Sequence, residues 1–263
     1  MTKEDLANRL EAAKEAARRA GALLIEGPSE GLKTTVKGKN DFVTVMDVES
    51  ERLIKDYLHT RFPEDNFLGE EMGFERHGDG GTWVIDPIDG TTNYIHGLPG
   101  YTISIAFEQN RWHPVLGVVY DPLLDEMYSA QRGAGAWLNG TRISVSEITD
   151  VHETVMFLSP PLRKRERMDD YLKLFETLCA DSGEMRDYGS AALHLSYVAH
   201  GRADAFIEFN LGYHDIAAGV VILEEAGGVI SPLDTQDVKD WHSNIIATNS
   251  QLHQWFVSQV QLS

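Results

Sequence analysis

The chain has 263 residues, 42% of them hydrophobic and 24% charged, which suits one large domain or two closely joined ones. Its formal net charge of −18 repels phosphate backbones and excludes nucleic-acid binding through a basic face. No apolar run approaches the roughly 20 residues of a membrane-spanning helix, and the polar N-terminus lacks a signal-peptide pattern. We therefore expect a cytoplasmic protein without a membrane partner.

A single cysteine, Cys179, excludes an intramolecular disulfide, which fits a reducing compartment. It lies near the end of an apolar-periodic run. We therefore expect Cys179 to be a buried packing residue and not a nucleophile.

Hydrophobic periodicity predicts two helices in the first half, over residues 4–26 and 47–62. Alternating and apolar runs predict four strands, at 82–86, 101–108, 113–121 and 125–130. The last two strands form a meander through "DPLLDE", and residues 133–140 are rich in turn formers.

From about residue 150, strands and helices alternate, which indicates an α/β layer. The predicted strands are 153–158, 184–187, 204–209, a short one near 229, and 244–248. The predicted helices are 168–179, 190–199, 214–226 and 250–261. We expect one compact unit with an N-terminal α+β part over residues 1–145 and a layered α/β part over 146–263.

Several common functional motifs fail on spacing. The stretch "GPSEGLKTT" resembles a P-loop, but three residues instead of four separate its glycines. The stretch "GAGAWLNG" has Leu138 where a dinucleotide-binding fingerprint needs its third glycine. Ten histidines are scattered without zinc-site spacing, and there is no G-x-S-x-G nucleophile motif.

The stretch "WVIDPIDGTTNYIHG", residues 83–97, runs a buried-type strand directly into two acids. Asp89 has an ordinary explanation as the N-cap of a short helix. Asp86 has none, because burying an unpaired charge costs several kcal/mol or forces protonation. A divalent cation would remove that cost, and the helix start at Gly90, Thr91 and Thr92 offers N–H donors to a phosphate.

Two further acidic pieces are candidates for the same site. "FLGEEMG" places Glu70 and Glu71 after a short apolar segment, where a solvated turn is the ordinary explanation. Asp215 begins a helix, where it would complement the helix dipole. Three such pieces in one chain favour a hard cation, above all Mg²⁺, acting on a phosphate. Gly219, inside the helix that Asp215 begins, costs about 1 kcal/mol relative to Ala, which indicates close packing.

These motifs resemble the inositol monophosphatase family, within the wider superfamily of Mg²⁺-dependent, lithium-sensitive phosphatases. The resemblance spans nearly the whole chain and implies a layered α-β-α-β-α sandwich, the sugar-phosphatase-like fold. It is carried by "DFVTVMD" (41–47), "GEE" (69–71), "DPIDGTTNYIHG" (86–97), "YGSAA" (188–192) and "HDIAAG" (214–219) followed by "EAGG".

The resemblance implies two to three Mg²⁺ ions per subunit. Glu70, Asp86 and the carbonyl of Ile88 would hold the first ion. Asp86, Asp89 and Asp215 would hold the second, so that Asp86 bridges. Glu70 would also reach a third, weaker ion through water.

The resemblance also implies a reaction without a covalent enzyme intermediate, in which paired ions activate water and stabilise the leaving oxygen. Thr91, paired with Asp47, would position or deprotonate the attacking water. Asp47 is also a candidate N-cap of the 47–62 helix. Gly90 and Thr91 would bind the phosphate through backbone N–H groups, beside Asp89.

The family's substrates include inositol monophosphates, fructose 1,6-bisphosphate, 3′-phosphoadenosine 5′-phosphate and NADP. Glu208, seven residues before Asp215, and the small Ala191 match residues that line the ring site in inositol phosphatases, so inositol 1-phosphate ranks first. A solvated surface role for Glu208 stays open. Basic residues in the loop 159–170 leave bisphosphorylated substrates open, among them Arg163, Lys164, Arg165 and Arg167. By the resemblance, Lys37 or Lys39 would approach the phosphate, but neither is assigned, because their spacing to Asp41 is one residue tighter than the family pattern.

The resemblance implies a homodimer and inhibition by lithium. A different class of function is also open, because bacterial relatives of the family act as regulatory partners of the transcription machinery. The intact set of acids favours an enzyme.

Overall fold

The computed structural model describes residues 1–27, 34–38, 41–162, 165–233 and 244–260. Within these ranges the chain forms seven α-helices and two large β-sheets, with a separate two-stranded hairpin. The helices are α1 (Lys3–Glu26), α2 (Val45–Arg61), α3 (Thr91–His96), α4 (Met168–Asp181), α5 (Ala191–Ala199), α6 (Tyr213–Glu225) and α7 (His253–Gln259).

The strands of the first half are β1 (Thr34–Gly38), β2 (Asp41–Thr44), β3 (Asn66–Gly69), β4 (Gly73–Glu75), β5 (Thr82–Asp89), β6 (Thr102–Asn110), β7 (His113–Asp121), β8 (Glu126–Gln131), β9 (Gly135–Leu138) and β10 (Thr141–Ile143). Those of the second half are β11 (Val155–Ser159), β12 (Glu184–Arg186), β13 (Ala205–Phe209), β14 (Val229–Pro232) and β15 (Asn244–Thr248).

The larger sheet has the strand order β10-β9-β8-β7-β6-β5-β3-β4, antiparallel except for the parallel pair β3 and β5. The smaller sheet has the order β12-β11-β13-β15-β14, with β11 parallel to both of its neighbours. The predicted meander is confirmed as the antiparallel run β6-β7-β8.

Alternation along the central strands explains how the layers stack, because successive side chains of a strand point to opposite faces. On β5, Trp83 and Ile85 join the apolar cluster that contains α1 and α2. Val84, between them, joins the cluster that contains α5 and α6. A third cluster covers the outer face of the smaller sheet with α4 and α7. The expected α-β-α-β-α sandwich is confirmed.

Helices α5 and α6 form the middle layer, packed against each other and between the two sheets. The close packing predicted at Gly219 is present, because a Cβ built there would lie 2.7 Å from the Cβ of Leu195 on α5. The larger sheet uses residues 66–143 and the smaller one residues 155–248. The division of the chain at residue 145 stays a prediction, since α6 of the second half packs on the sheet of the first.

The structure corrects the prediction for Cys179, which is exposed. On α4 the buried positions are Asp170, Leu174 and Leu178, spaced four residues apart. Cys179 follows the last of them and is turned about 100° away around the helix, onto the solvent side.

Other differences concern short elements and helix ends. Helix α2 begins at Val45, two residues before the predicted start, and α7 is shorter than the predicted 250–261. The turn-rich segment 133–140 contains β9, and β1 to β4 and β10 were not predicted. Strands of three to five residues are too short for periodicity to identify them. Among the described helices, none combines the length and the apolar content needed to cross a bilayer.

Candidate metal and phosphate site

The parallel pairing of β3 with β5 brings two acidic segments to one edge of the larger sheet. Gly69, the last residue of β3, is in register with Ile85, and the Glu70 amide donates to the Ile85 carbonyl at 3.1 Å. Because β3 and β5 run in the same direction, Glu70, which directly follows β3, lies beside Asp86 near the end of β5. The sheet thus joins two acids that lie 16 positions apart in the chain.

Asp215 arrives from the middle layer, on the first turn of α6. Its Oδ2 accepts a hydrogen bond of 2.6 Å from the Gly212 amide at the start of the helix. The predicted role as a first-turn acid is confirmed. That bond fixes the carboxylate at the helix N-terminus, where negative charge is favoured.

Two groups of potential metal-ligand atoms result, each with all its atoms within 4.8 Å of one another. One consists of Glu70, Asp86 and His214, and the other of Asp86, Asp89 and Asp215. Asp86 belongs to both groups, so one carboxylate lies between two positions that can each hold a cation.

The acids at this site are buried and repel one another. Asp86, Asp89 and Asp215 are 1%, 8% and 9% exposed. Burial, followed by the charges of Glu70, Asp89 and Asp215, raises the pKa of Asp86 well above its usual range. Burial and the charge of Asp215 raise the pKa of Asp89 to about 7, against hydrogen bonds from Ser190 and Ala192 that favour the charged form. A divalent cation offsets this cost, and hard oxygen donors suit Mg²⁺.

A β-bulge between Asp86 and Asp89 gives β5 its irregular end. Asp86 Oδ1 accepts from the Ile88 amide at 3.0 Å, which stabilises the local turn within the bulge. The Ile88 carbonyl accepts from the Thr91 hydroxyl at 2.9 Å. A carbonyl oxygen has two lone pairs, so this contact leaves capacity for a cation.

Asp47 and Thr91 also meet, although 44 residues separate them in the chain. Thr91 Oγ1 lies 3.2 Å from Asp47 Oδ1, while Asp47 Oδ2 accepts from the Thr44 amide at 2.7 Å. The prediction of Asp47 as an N-cap is wrong, because Thr44 is the N-cap of α2 and Asp47 closes its capping box. Burial raises the pKa of Asp47.

Gly90, and not Asp89, is the N-cap of α3. Asp89 remains the last residue of β5, held there by its contacts to α5. Gly90 has φ 96°, a left-handed conformation that favours glycine, and a Cβ there would lie 2.7 Å from the Gly100 carbonyl oxygen. Gly90 and Thr91 therefore follow directly on the acidic cluster, and their contact with a phosphate stays a prediction.

The two predicted ring-site residues come from the second half. Ala191 is the first residue of α5, and Asp89 Oδ2 accepts from the neighbouring Ser190 hydroxyl at 2.6 Å and Ala192 amide at 2.7 Å. Glu208 lies on β13, partly exposed. Although the residue is partly exposed, its carboxyl group is surrounded by protein, and this desolvation, with the charges of Asp187, Asp215 and Asp89, raises its pKa well above the usual range. Glu208 therefore shares the electrostatic field of the cluster.

Sequence reasoning missed His214 and Glu51. His214 Nε2 lies 3.8 Å from Glu70 Oε1 and 3.3 Å from Asp215 Oδ1, and its position directly before Asp215 was the available signal. Glu51 on α2 accepts from the Glu71 amide at 2.8 Å and the Met72 amide at 3.1 Å. No local pattern shows this, because its partners follow 20 residues later.

The basic candidates lie away from the described cluster contacts. Arg167 pairs with Asp170 at 3.2 Å, and Arg165 is exposed. Arg163, Lys164 and Lys39 lie outside the described residues, and so does the side chain of Lys37.

Several known proteins resemble this chain in sequence and in structure. The sequence model of the inositol monophosphatase family matches residues 5–263. The chain is 38% identical to a fructose-1,6-bisphosphatase/inositol-1-monophosphatase of Aquifex aeolicus, covering 98% of this chain and 96% of the relative. It is 37% identical to the Nus factor SuhB of Escherichia coli K12, covering 92% of each. The solved structure of the Thermotoga maritima IMPase superimposes with a TM-score of 0.85 at 37% identity, covering 96% of both chains.

Proposed function

Because the chain belongs to the inositol monophosphatase family, we propose that it is a Mg²⁺-dependent phosphomonoester hydrolase whose preferred substrate is inositol 1-phosphate. Membership of the family supports phosphatase activity as such. The observation that carries the proposal for this chain is the place of Asp86 in two ligand groups at once. Paired ions that share a carboxylate are suited to displacement at phosphorus.

Glu70, Asp86 and the Ile88 carbonyl would hold one Mg²⁺, and Asp86, Asp89 and Asp215 the other. A third, weaker ion would be reached from Glu70 through water. The chemistry of these residues fits Mg²⁺, because they offer oxygen ligands, and the acids among them are buried and repel one another. A hard cation would stabilise such a group. When bound, Mg²⁺ ions supply charge that lowers the pKa of water and stabilises the entering and leaving oxygens.

Thr91 and Asp47 would orient the attacking water. The Thr91 hydroxyl lies within hydrogen-bond distance of both the Ile88 carbonyl and Asp47 Oδ1, so its direction is restricted. Asp47 is fully buried and its raised pKa brings the carboxyl closer to a proton-accepting range. Thr91 would pass a proton from the water towards Asp47, and the reaction needs no covalent enzyme intermediate.

The substrate would lie between the two halves of the chain. The amides of Gly90 and Thr91 would bind the phosphate, next to Asp89. Ala191 leaves room for a ring at the start of α5, and Glu208 would accept hydrogen bonds from its hydroxyls. Sugar bisphosphates are one alternative, in line with the double name of the Aquifex aeolicus relative, and phosphorylated nucleotides are another.

Phosphate release across a substrate panel tests the proposal. The panel contains inositol 1-phosphate, fructose 1,6-bisphosphate, 3′-phosphoadenosine 5′-phosphate and NADP, each with and without Mg²⁺. We expect the largest Mg²⁺-dependent kcat/KM on inositol 1-phosphate. Lack of activity on all four compounds would overturn the enzyme proposal for these substrates, and a higher value for another compound would replace the preferred substrate.

A regulatory role is a second candidate, supported by the similarity to a protein named Nus factor SuhB. Such a role would use the surface of the fold and would not need Asp89. Affinity capture with the wild-type chain and with Asp89→Asn separates the two functions. Equal recovery of RNA polymerase by both proteins supports the regulatory role, and recovery by neither rejects it.

The family resemblance also supports a cytoplasmic homodimer that Li⁺ inhibits at the second ion position. Sedimentation of the purified chain would give its mass against the 29.4 kDa of one copy. Inhibition that falls as Mg²⁺ rises would indicate competition for that position.

A further inference from the structure

We infer that His214 is a protein ligand of the ion held by Glu70 and Asp86, and that its nitrogen strengthens the binding of a divalent transition ion, Mn²⁺, at this position more than the binding of Mg²⁺. The inference rests on the metal site of the proposed function and adds to it a residue and an ion class. The second position, formed by Asp86, Asp89 and Asp215, remains an all-oxygen site.

The distances place the imidazole within reach of a shared ion. Two atoms that each lie about 2.1 Å from one ion are separated by roughly 3.0 to 4.2 Å, depending on the angle between them. His214 Nε2 and Glu70 Oε1 are 3.8 Å apart, inside this range and too far for a hydrogen bond between them. Asp86 completes the group, with the ligand atoms of all three residues within 4.8 Å of one another.

The backbone makes room for the ring. A Cβ built on Gly212 would lie 2.6 Å from Cε1 of His214 and 2.8 Å from its Nε2. Gly212 has φ −87° and ψ 160°, a conformation open to any residue, so its own geometry does not demand glycine. A side chain at position 212 would instead crowd the His214 ring, whose Nε2 lies 3.3 Å from Asp215 Oδ1 in the acidic cluster.

The alternative function of the ring is a hydrogen bond to Asp215, whose Oδ1 lies 3.3 Å from Nε2. A histidine that only donates to Asp215 would orient a carboxylate of the second ion and would not touch a metal. The distances to Glu70 and to Asp215 allow both arrangements, so direct evidence must come from the bond between nitrogen and ion.

Nitrogen chemistry predicts the ion preference. Carboxylate, carbonyl and water oxygens suit Mg²⁺ and Mn²⁺ alike, whereas imidazole nitrogen suits transition ions. Mn²⁺ is the transition ion of this pair, so it gains more from a nitrogen ligand than Mg²⁺ does. Mg²⁺ is the smaller hard cation that keeps several waters. Replacing one oxygen ligand by an imidazole therefore lowers the advantage of Mg²⁺ at this position and raises that of Mn²⁺.

Pulsed electron paramagnetic resonance of Mn²⁺ added to metal-free full-length protein tests the bond. We expect hyperfine coupling from a directly bound nitrogen in the wild type and its loss in His214→Phe, which keeps a ring but removes both nitrogens. His152→Phe, an exposed position in neither ligand group, is the matched control and should keep the coupling. Absence of nitrogen coupling in the wild type, or its persistence in His214→Phe, overturns the inference.

Calorimetric titration of the same proteins tests the preference. For His214→Phe we expect Mn²⁺ affinity at one position to fall about 10-fold or more, since even indirect metal contacts contribute that much, and Mg²⁺ affinity to fall less. An equal loss for both ions overturns the preference. If His214→Phe does not fold, His214→Gln serves in its place. Phosphate release with Mg²⁺ by the wild type reports on the proposed function separately, since neither metal-binding measurement depends on turnover.

Discussion

The Asp89 carboxylate at the end of β5 accepts a hydrogen bond of 2.7 Å from the Ala192 amide in the first turn of α5. The same oxygen accepts one of 2.6 Å from the hydroxyl of Ser190, the N-cap of that helix. A candidate metal ligand from the larger sheet thus anchors a helix of the middle layer. The proposed metal position and the proposed ring site are therefore linked through this one side chain.

Asp89→Asn should lower Mg²⁺-dependent turnover by about 100-fold or more, while the fold survives. The amide oxygen can still accept from Ser190 and Ala192, but the charge that attracts the ion is gone. Measurement of kcat at saturating Mg²⁺, with the melting temperature, separates the two effects. Asp79→Asn, at an exposed position, should retain activity. Near-normal Mg²⁺-dependent turnover in Asp89→Asn would contradict the two-ion assignment.

Mg²⁺ should stabilise the protein more at pH 8 than at pH 5. In the metal-free protein the pKa of Asp89 is raised from 3.8 to about 7, so its contribution to stability is present below about pH 4 and is lost as the pH rises through 7. The pKa values of Asp86 and Glu208 are raised as well. Bound Mg²⁺ offsets the repulsion between the carboxylates, and at high pH no protons compete with Mg²⁺ for them. Melting temperatures with and without Mg²⁺ at both pH values test this, and an equal increment at the two would contradict it.

Glu51→Gln should weaken Mg²⁺ binding without removing any proposed ligand. The buried carboxylate accepts from the amides of Glu71 and Met72, and so fixes the turn that follows Glu70. A glutamine would present an NH₂ group to one of those amides, at a cost of about 1–3 kcal/mol.

The concentration of Mg²⁺ needed for half-maximal activity should therefore rise several-fold in Glu51→Gln, with a smaller fall in kcat at saturating Mg²⁺. Glu49→Gln, exposed on the same helix, is the matched control. If Glu51→Gln lowers stability but leaves the Mg²⁺ requirement unchanged, Glu51 has only a structural function.

His194→Gln should make the protein less sensitive to acid. His194 is fully buried, accepts from the Tyr188 amide at 2.9 Å and stacks on Phe157, and burial lowers its pKa to about 3. A depressed histidine pKa means that stability is present above the unfolded value of 6.5 and is lost as the pH falls towards 3. The loss is on the order of 5 kcal/mol over that interval.

Denaturant unfolding of the wild type and His194→Gln between pH 7 and pH 4 measures this difference. Glutamine keeps an acceptor for the Tyr188 amide but does not titrate. The variant should be less stable at pH 7 and lose less stability on acidification. Parallel curves for the two proteins would show that His194 does not account for acid sensitivity.

Glu208→Gln should impair inositol 1-phosphate hydrolysis more than hydrolysis of a simple aryl phosphate. The proposed contact is to ring hydroxyls, which an aryl phosphate lacks, and one charged hydrogen bond is worth about 1.5–3 kcal/mol. The ratio of the two kcat/KM values should therefore fall about 10-fold or more. An equal effect on both substrates would show that Glu208 acts through its charge on the acidic cluster and does not contact the ring.

The elements with long, strong periodicity were predictable from the chain alone. Helix α1 and the meander β6-β7-β8 lie close to the predicted ranges, because each is defined by neighbours within a few positions. The acids at the end of β5 were also identifiable, since an apolar strand that runs into paired charges demands a compensating cation. Local capping was mispredicted at α2, where Asp47 was the expected N-cap and Thr44, three residues earlier, is the N-cap.

Apolar patterning in the sequence by itself determined a mixed first half and a layered α/β second half, and the motifs' family resemblance implied the complete sandwich. The buried-type strand that runs into Asp86 determined the acidic, cation-seeking character of the site. Only the tertiary structure decided which groups meet: Glu70 beside Asp86 through the parallel pairing of β3 with β5, and His214 and Asp215 through the packing of α6. The physical reason is that the patterns in the sequence report only on residues close together in the chain. Periodicity and capping act over about one helical turn, whereas the distance between Glu70 and His214 depends on how a sheet and a helix from opposite halves of the chain pack together.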